Sequence, residues 1–311
     1  MRHDVGSGRQ PVGFQGRTLV MRRLVALSTL LLAALCLAGL PTTGASADVS
    51  SRACGWKKYH KADGSLWQCA FAENFGGSRL NTSRWRVHEA AKSGAMPGHA
   101  CWSDTRDNVR VSGGALRLTV RKTSAPFVCH SLYGDFTTQY TGGSISTWDS
   151  LTPTYGRFEI RAKMPTAKVA GIHSAIWLFP VSSTYGPWPA SGEIDIAEYY
   201  TKYPDRAIPY LHYTSASSSP VTNTQCMIRN PRNYHTYTAE WTPGRIVISY
   251  DGVPCLVHQI KAASPLTGSA PFDQPFYLIL SQALGIGQNP FDPATTPLPQ
   301  TMIVDRVRVW Q

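Results

Sequence analysis

The chain reads as an all-β protein, a sandwich or jelly roll of antiparallel strands, on three observations. Helix-type periodicity is scarce beyond residue 47. Short runs of alternating apolar and polar residues take its place. Turn residues separate these runs throughout, with 26 glycines and 22 prolines in 311 residues. A period of two marks a half-buried strand, and closely spaced turns between such runs mark antiparallel connections.

Residues 1–47 stand apart from this pattern. Residues 1–20 form an N-terminal extension. Met21-Arg22-Arg23 then opens an apolar run, Leu24 to Leu40, that leads to Ala45-Ser46-Ala47. A basic start, an apolar stretch and small residues at the end make a secretory signal peptide, with cleavage expected before Asp48. The apolar run of 17 residues is short for a bilayer span of roughly 20, so no stable membrane association is expected after cleavage. Leu35 precedes Cys36 where a lipoprotein site wants a small residue, which argues against a lipid anchor. The protein is expected to be secreted and extracellular.

Residues 48–311 number 264, a length that suits a single β-sandwich domain with a sizeable core. Strands are expected over Ala115–Val120, Arg157–Ala162, Arg245–Tyr250 and Met302–Trp310, each alternating in character. Ser112-Gly113-Gly114 and Asp251-Gly252 are hairpin turns by composition. Two long stretches, 87–106 and 204–234, carry loop chemistry. Connections of that length usually serve binding, and both are expected to rim a cleft.

Six cysteines follow the cleavage site: Cys54, Cys69, Cys101, Cys129, Cys226 and Cys255. An even number in an exported protein favours disulfides, and six allow fifteen pairings that the sequence does not distinguish. Nearest-neighbour bridging, Cys54–Cys69, Cys101–Cys129 and Cys226–Cys255, is the expectation carried forward. No Cys-x-x-Cys occurs, which leaves zinc or redox sites without support.

The net charge is +11, and five arginines and one aspartate precede Asp48, so the mature form carries about +7. The basic residues are scattered, with no dense run, and nucleic acid binding is not indicated. A basic surface either keeps the protein soluble or draws it to acidic polymers and anionic cell walls.

The most informative segment is Glu193-Ile194-Asp195-Ile196-Ala197-Glu198, three carboxylates in an apolar, β-prone stretch. Burying acids this densely is unfavourable without a purpose. Hydrolysis of a glycosidic bond supplies one, because it needs two carboxyl groups flanking the bond. Glu193 and Asp195 share a strand face, whereas Glu198, five residues on, would point away on a regular strand. A β-bulge around Ile196-Ala197 returns it to the same face, and bulges are enriched beside active sites.

This segment resembles the signature of glycoside hydrolase family 16 in its bulged form, E-x-D-x-x-E. Residues 155–163, Ala175-Ile176-Trp177-Leu178, Ala239-Glu240-Trp241-Thr242-Pro243 with Tyr250-Asp251-Gly252, and residues 304–310 resemble other strands of that family, in order. The resemblance runs from about Glu73 to Trp310. It implies a concanavalin A-like jelly roll, two curved antiparallel sheets with a substrate cleft on the concave face. It also implies a retaining endo-glycanase with Glu193 as nucleophile, Glu198 as general acid/base and Asp195 between them as tuner. The acid must have its pKa raised, and neighbouring negative charge does that. The three are expected to titrate as a set.

Trp188 and Trp177 are expected to face sugar rings, whose C–H faces pack on aromatic faces, and Trp102 is a third platform candidate. His212 resembles a strand histidine near the catalytic row in many relatives and would hydrogen-bond the acid or the sugar. His173-Ser174 departs from the family pattern. So does Ser281, where laminarin-degrading relatives commonly have Asn, which leaves Gln282 as the expected amide contact to substrate. Many relatives bind a structural calcium on the convex side, and Glu73 and Asp305 match positions near that site. No cofactor is expected for catalysis.

The expected substrate is a polysaccharide, β-1,3-glucan first and galactan-type polymers such as agar or carrageenan second. A transglycosylase would use the same residues. A non-catalytic carbohydrate-binding jelly roll would be expected to have lost an acid of the row, and all three are present. The protein is expected to act as a monomer.

Overall fold

The computed structural model describes residues 53–93 and 98–311, all within one compact unit. The expected signal peptide and its cleavage site lie outside the described residues. The described chain forms strands β1 (Cys69–Glu73), β2 (Arg86–Val87), β3 (Ala100–Trp102), β4 (Val109–Val111), β5 (Leu116–Cys129), β6 (Phe136–Ser146), β7 (Gly156–Lys163), β8 (Ile172–Pro180), β9 (Glu193–Tyr200), β10 (Ile208–His212), β11 (His235–Thr242), β12 (Arg245–Tyr250), β13 (Val253–Gln259), β14 (Phe276–Leu284) and β15 (Gln300–Trp310), with one short helix, α1 (Ala90–Ser93).

These strands make two layers. One runs β10-β9-β8-β14-β6, with β2 also on β6. The other runs β13-β12-β11-β7-β15, with β1 and the first half of β5 both on β15 and β4 on β5. The long strands β5 and β6 pair through Arg121–Cys129 and link the layers. The all-β expectation holds, and pairing is antiparallel except where β3 lies parallel to β6.

Strand alternation builds the core. Leu116, Leu118 and Val120 on β5 are fully buried, and the residues between them are half-exposed. Ile176 and Leu178 of β8, Ile194 and Ile196 of β9, and Leu278 and Leu280 of β14 meet Phe158, Ile160, Trp241, Ile248 and Val309 of the opposing layer in one apolar cluster. Each such side chain contributes about 1.5–3 kcal/mol by leaving water.

The three disulfides are Cys54–Cys69, Cys101–Cys129 and Cys226–Cys255, as nearest-neighbour pairing expects. Both hairpin turns are present. Asp251 and Gly252 join β12 to β13 with φ of 50° and 81°, the left-handed pair that a two-residue hairpin demands. Among the described residues, no helix is long and apolar enough to cross a membrane.

Candidate active site

β9 lies between β8 and β10 and carries the acidic row. Ile176 of β8 pairs with Ala197 while Trp177 pairs with Asp195, so Ile196 is the extra residue of a bulge. The β10 side has the same offset, Ile208 against Glu198 and Tyr210 against Asp195. The bulge therefore sits where the carboxylate spacing requires it. It leaves Ile194 and Ile196 in the core and turns Glu193, Asp195 and Glu198 into one cleft of about 440 Å³.

Gly192 feeds the chain into this strand at φ +82°, and an added Cβ would sit 2.9 Å from the Phe272 ring. Only glycine suits both the backbone angle and the gap.

Trp188 is 58% exposed and its Nε1 donates to Glu193 Oε2 at 2.9 Å. Asp195 is buried. His212 Nε2 lies 3.1 Å from Asp195 Oδ2 and 4.0 Å from Glu193 Oε1, and its ring stacks on Tyr210 with centroids 4.1 Å apart. At the other end of the row, Glu198 Oε1 receives the Tyr200 hydroxyl at 2.5 Å and faces His173 Nε2 at 3.1 Å.

These surroundings set the charges. Burial, reinforced by the Asp195 charge, pushes Glu193 up to about 9, against the lowering effects of His212 and the Trp188 N–H. Burial and the charge of Glu198 also raise Asp195. Burial pushes Glu198 upward too, but hydrogen bonds from His173 and Tyr200 and the electrostatic influence of His173 and His212 outweigh it and hold Glu198 below the ordinary carboxylate range. This corrects the sequence expectation of a raised Glu198. The neighbouring acids are present as expected, but the donors around Glu198 decide the sign.

The cleft walls follow strand parity. Trp177 of β8 faces the cleft with Phe179, and its Nε1 donates to Ser281 Oγ at 3.3 Å. Tyr277, Ile279 and Ser281 of β14 share that face. Gln282 does not, which corrects its expected contact with substrate. It is fully buried, and its Oε1 accepts from Ser174 Oγ at 2.6 Å. Alternation from Ser281 alone assigns it to the core side.

Trp102 lines the cleft but is only 4% exposed and packs against Gly142, so it forms wall rather than open platform. The 87–106 stretch reaches the cleft through His88, Ser93 and Trp102. His88 lies between Ser144 Oγ and Ser146 Oγ at 3.0 and 2.9 Å, and burial pulls its pKa down to about 4, so it is neutral. The 204–234 stretch departs from expectation. It brings β10 and His212 to the row, but Met227–Arg232 line a separate groove with Pro165, Lys168 and Tyr199.

In the sequence His173 stands out only as a departure from the family pattern, and Tyr200, Tyr277 and His88 are not singled out. Tyr200 was within reach, since it lies two residues past Glu198 and hence on its face. His173 pairs with Tyr200 across β8 and β9, a register that no local sequence signal reveals.

Glu73 and Asp305, the residues expected near a structural calcium, have the following partners. Glu73 Oε1 accepts the backbone N–H groups of Asn74 and Phe75, and Oε2 faces Trp85 Nε1 and Arg84. Asp305 Oδ2 is paired with Arg161, although its Oδ1 is buried without a partner. Among the described residues, the sole convergence of metal-type ligand atoms is Glu193, Asp195 and His212.

The sequence profile described as "Glycosyl hydrolases family 16" matches residues 97–296. The chain is 34% identical over 218 residues to the Beta-glucanase of Rhodothermus marinus, covering 66% of this chain and 71% of that protein. It is 32% identical over 270 residues to Glucan endo-1,3-beta-glucosidase A1 of Niallia circulans, covering 79% of this chain but only 37% of that protein's length. The X-ray structure of the laminarinase from Rhodothermus marinus superposes with a TM-score of 0.66 at 29% identity, covering 79% of this chain and 97% of that one. With the bulged acidic row, the jelly roll and these likenesses in agreement, the chain belongs to glycosyl hydrolase family 16 and is a glycoside hydrolase.

Proposed function

We propose that the protein is an extracellular, endo-acting, retaining β-glycanase that hydrolyses β-1,3-glucan. The observation that carries this reading is the bulge of β9, which puts Glu193, Asp195 and Glu198 in one row in the cleft beside the exposed Trp188. The relatives named as a β-glucanase, a glucan endo-1,3-β-glucosidase and a laminarinase support the choice of glucan. Three disulfides suit an oxidising, extracellular setting.

In the proposed reaction Glu193 attacks the anomeric carbon as the glycosidic C–O bond breaks, and Glu198 gives its proton to the departing oxygen. Water then attacks the glycosyl–Glu193 ester, Glu198 takes the water's proton, and Glu193 is released. In the free cleft burial and mutual repulsion raise Glu193 and Asp195, while the donors around Glu198 lower it, a bias opposite to the one attack requires. Positive charge developing at the anomeric centre favours ionised Glu193. Asp195, between the two, is placed to pass the proton along the row as sugar enters.

The test is to incubate the disulfide-bonded protein with laminarin, lichenan, agarose, carrageenan and arabinogalactan, beside Glu193→Gln, and to read products by mass and anomers by NMR. Oligosaccharides from laminarin with retained configuration, absent in the variant, are expected. Glu198→Ala should lose about 10²–10⁴-fold in rate and recover partly with azide or with activated leaving groups. Products from a galactan alone would move the substrate assignment. Inverted products, or a fully active Glu193→Gln, would overturn the mechanism.

A further inference from the structure

A second site lies on the face of the sandwich turned away from the cleft. Arg106, Arg110, Arg117 and Arg121 are dispersed in sequence but converge around one groove of about 340 Å³ that also includes Thr119 and Thr301. Leu116, Leu118 and Val120 point into the core, so the period of two turns Arg117, Thr119 and Arg121 outward. Arg110, between buried Val109 and Val111, lies directly opposite Arg117.

Three of the four guanidinium charges in this groove are uncompensated. Its one carboxylate, Asp107, is paired with Arg121. Arg117 Nε donates to Ser112 Oγ at 3.2 Å, and among the described residues no acidic group pairs with Arg106, Arg110 or Arg117. Like charges directly opposite in an antiparallel pair disfavour the sheet, and an anion lying across them removes that repulsion. Guanidinium forks grip carboxylates and sulfates through paired N–H donors.

Arg117 and Arg121 are four residues apart on one strand, roughly 14 Å at 3.4 Å per residue. That spacing suits a chain with repeated anionic groups better than a single small ion. The groove has no aromatic lining on which bases would stack. The Thr119 and Thr301 hydroxyls, 2.9 Å apart, offer polar contacts to a sugar chain. We propose that this groove binds an anionic polysaccharide, one bearing sulfate esters or carboxylates, independently of the cleft. Such a site would hold the enzyme on a charged matrix while the cleft works on another chain.

The test is to titrate the disulfide-bonded protein with heparin and with polygalacturonate, using neutral dextran and duplex DNA as comparisons. Binding to heparin or polygalacturonate that weakens with salt, with none to dextran, is expected. The exposed-site variant Arg106→Ser/Arg110→Ser should weaken it by about tenfold or more while keeping wild-type melting and polysaccharide hydrolysis. Arg117→Ser should act in the same direction, and Glu193→Gln should bind as wild type does. No binding to either anionic glycan, equal binding by the arginine variants, or DNA binding as tight as the glycans would overturn the proposal.

Discussion

His173 Nε2 lies 3.1 Å from Glu198 Oε1, and the two side chains come from adjacent strands in a fixed register. Tyr200 donates to the same oxygen at 2.5 Å, and its ring stacks on His173 with centroids 4.6 Å apart and planes within 8°. The two donors clamp one carboxylate oxygen and stiffen each other. Glu198 is thereby held in position and its ionised form is favoured.

Removing either donor should change the acidity of Glu198 and not merely the rate. His173→Asn and Tyr200→Phe are each expected to lower kcat/KM by roughly tenfold, the scale of a hydrogen bond to a charged group. Both donors hold Glu198 down, so its pKa should rise in each variant and the acid limb of the kcat/KM profile, set by the lower of the two pKa values, should move to higher pH. A loss of rate with an unmoved profile would make the pair a packing feature only.

The acidic row should weaken the fold at neutral pH. Glu193 sits near 9 in the folded protein against an ordinary 4.5. Below the ordinary value both states carry the proton and no penalty exists. Above it the unfolded chain ionises while the folded one does not, so stability falls as pH rises toward 9. Glu193→Gln keeps the shape and an acceptor for Trp188, so it should melt higher than wild type at pH 7, by at most about 3 kcal/mol. The gain should shrink toward pH 4. An equal or lower melting temperature at pH 7 would show that the carboxyl is not held protonated.

Trp188 offers an exposed indole beside the nucleophile candidate and takes little part in the core. Trp188→Ala is expected to leave thermal stability within about 0.5 kcal/mol and to raise KM for polysaccharide several-fold. A large drop in melting temperature with unchanged KM would reverse that assignment.

Cys101–Cys129 ties β3, which carries Trp102, to the end of β5 across a sequence separation of 28. Closing a loop of this size restricts the unfolded chain by roughly 3–4 kcal/mol. Cys101→Ser/Cys129→Ser should lower the melting temperature and weaken substrate binding, since the Trp102 wall loses its tether. Unchanged KM would mean that β3 is held by its pairing with β6 alone.

The all-β class, a bulge around Ile196-Ala197 and the shared face of Glu193, Asp195 and Glu198 are legible in the sequence. These follow from a period of two and from turn chemistry, which are local. Gln282 was misplaced although the same period assigns it to the core. Register between strands distant in the chain set the rest. It brought His173 onto Glu198 beside the locally placed Tyr200 and so reversed the direction of that residue's acidity. It drew residues 227–232 away from the cleft, paired Asp305 with Arg161, and gathered four scattered arginines into one groove. Charge and hydrogen bonding act over a few ångströms in space, and separation along the chain does not report that distance.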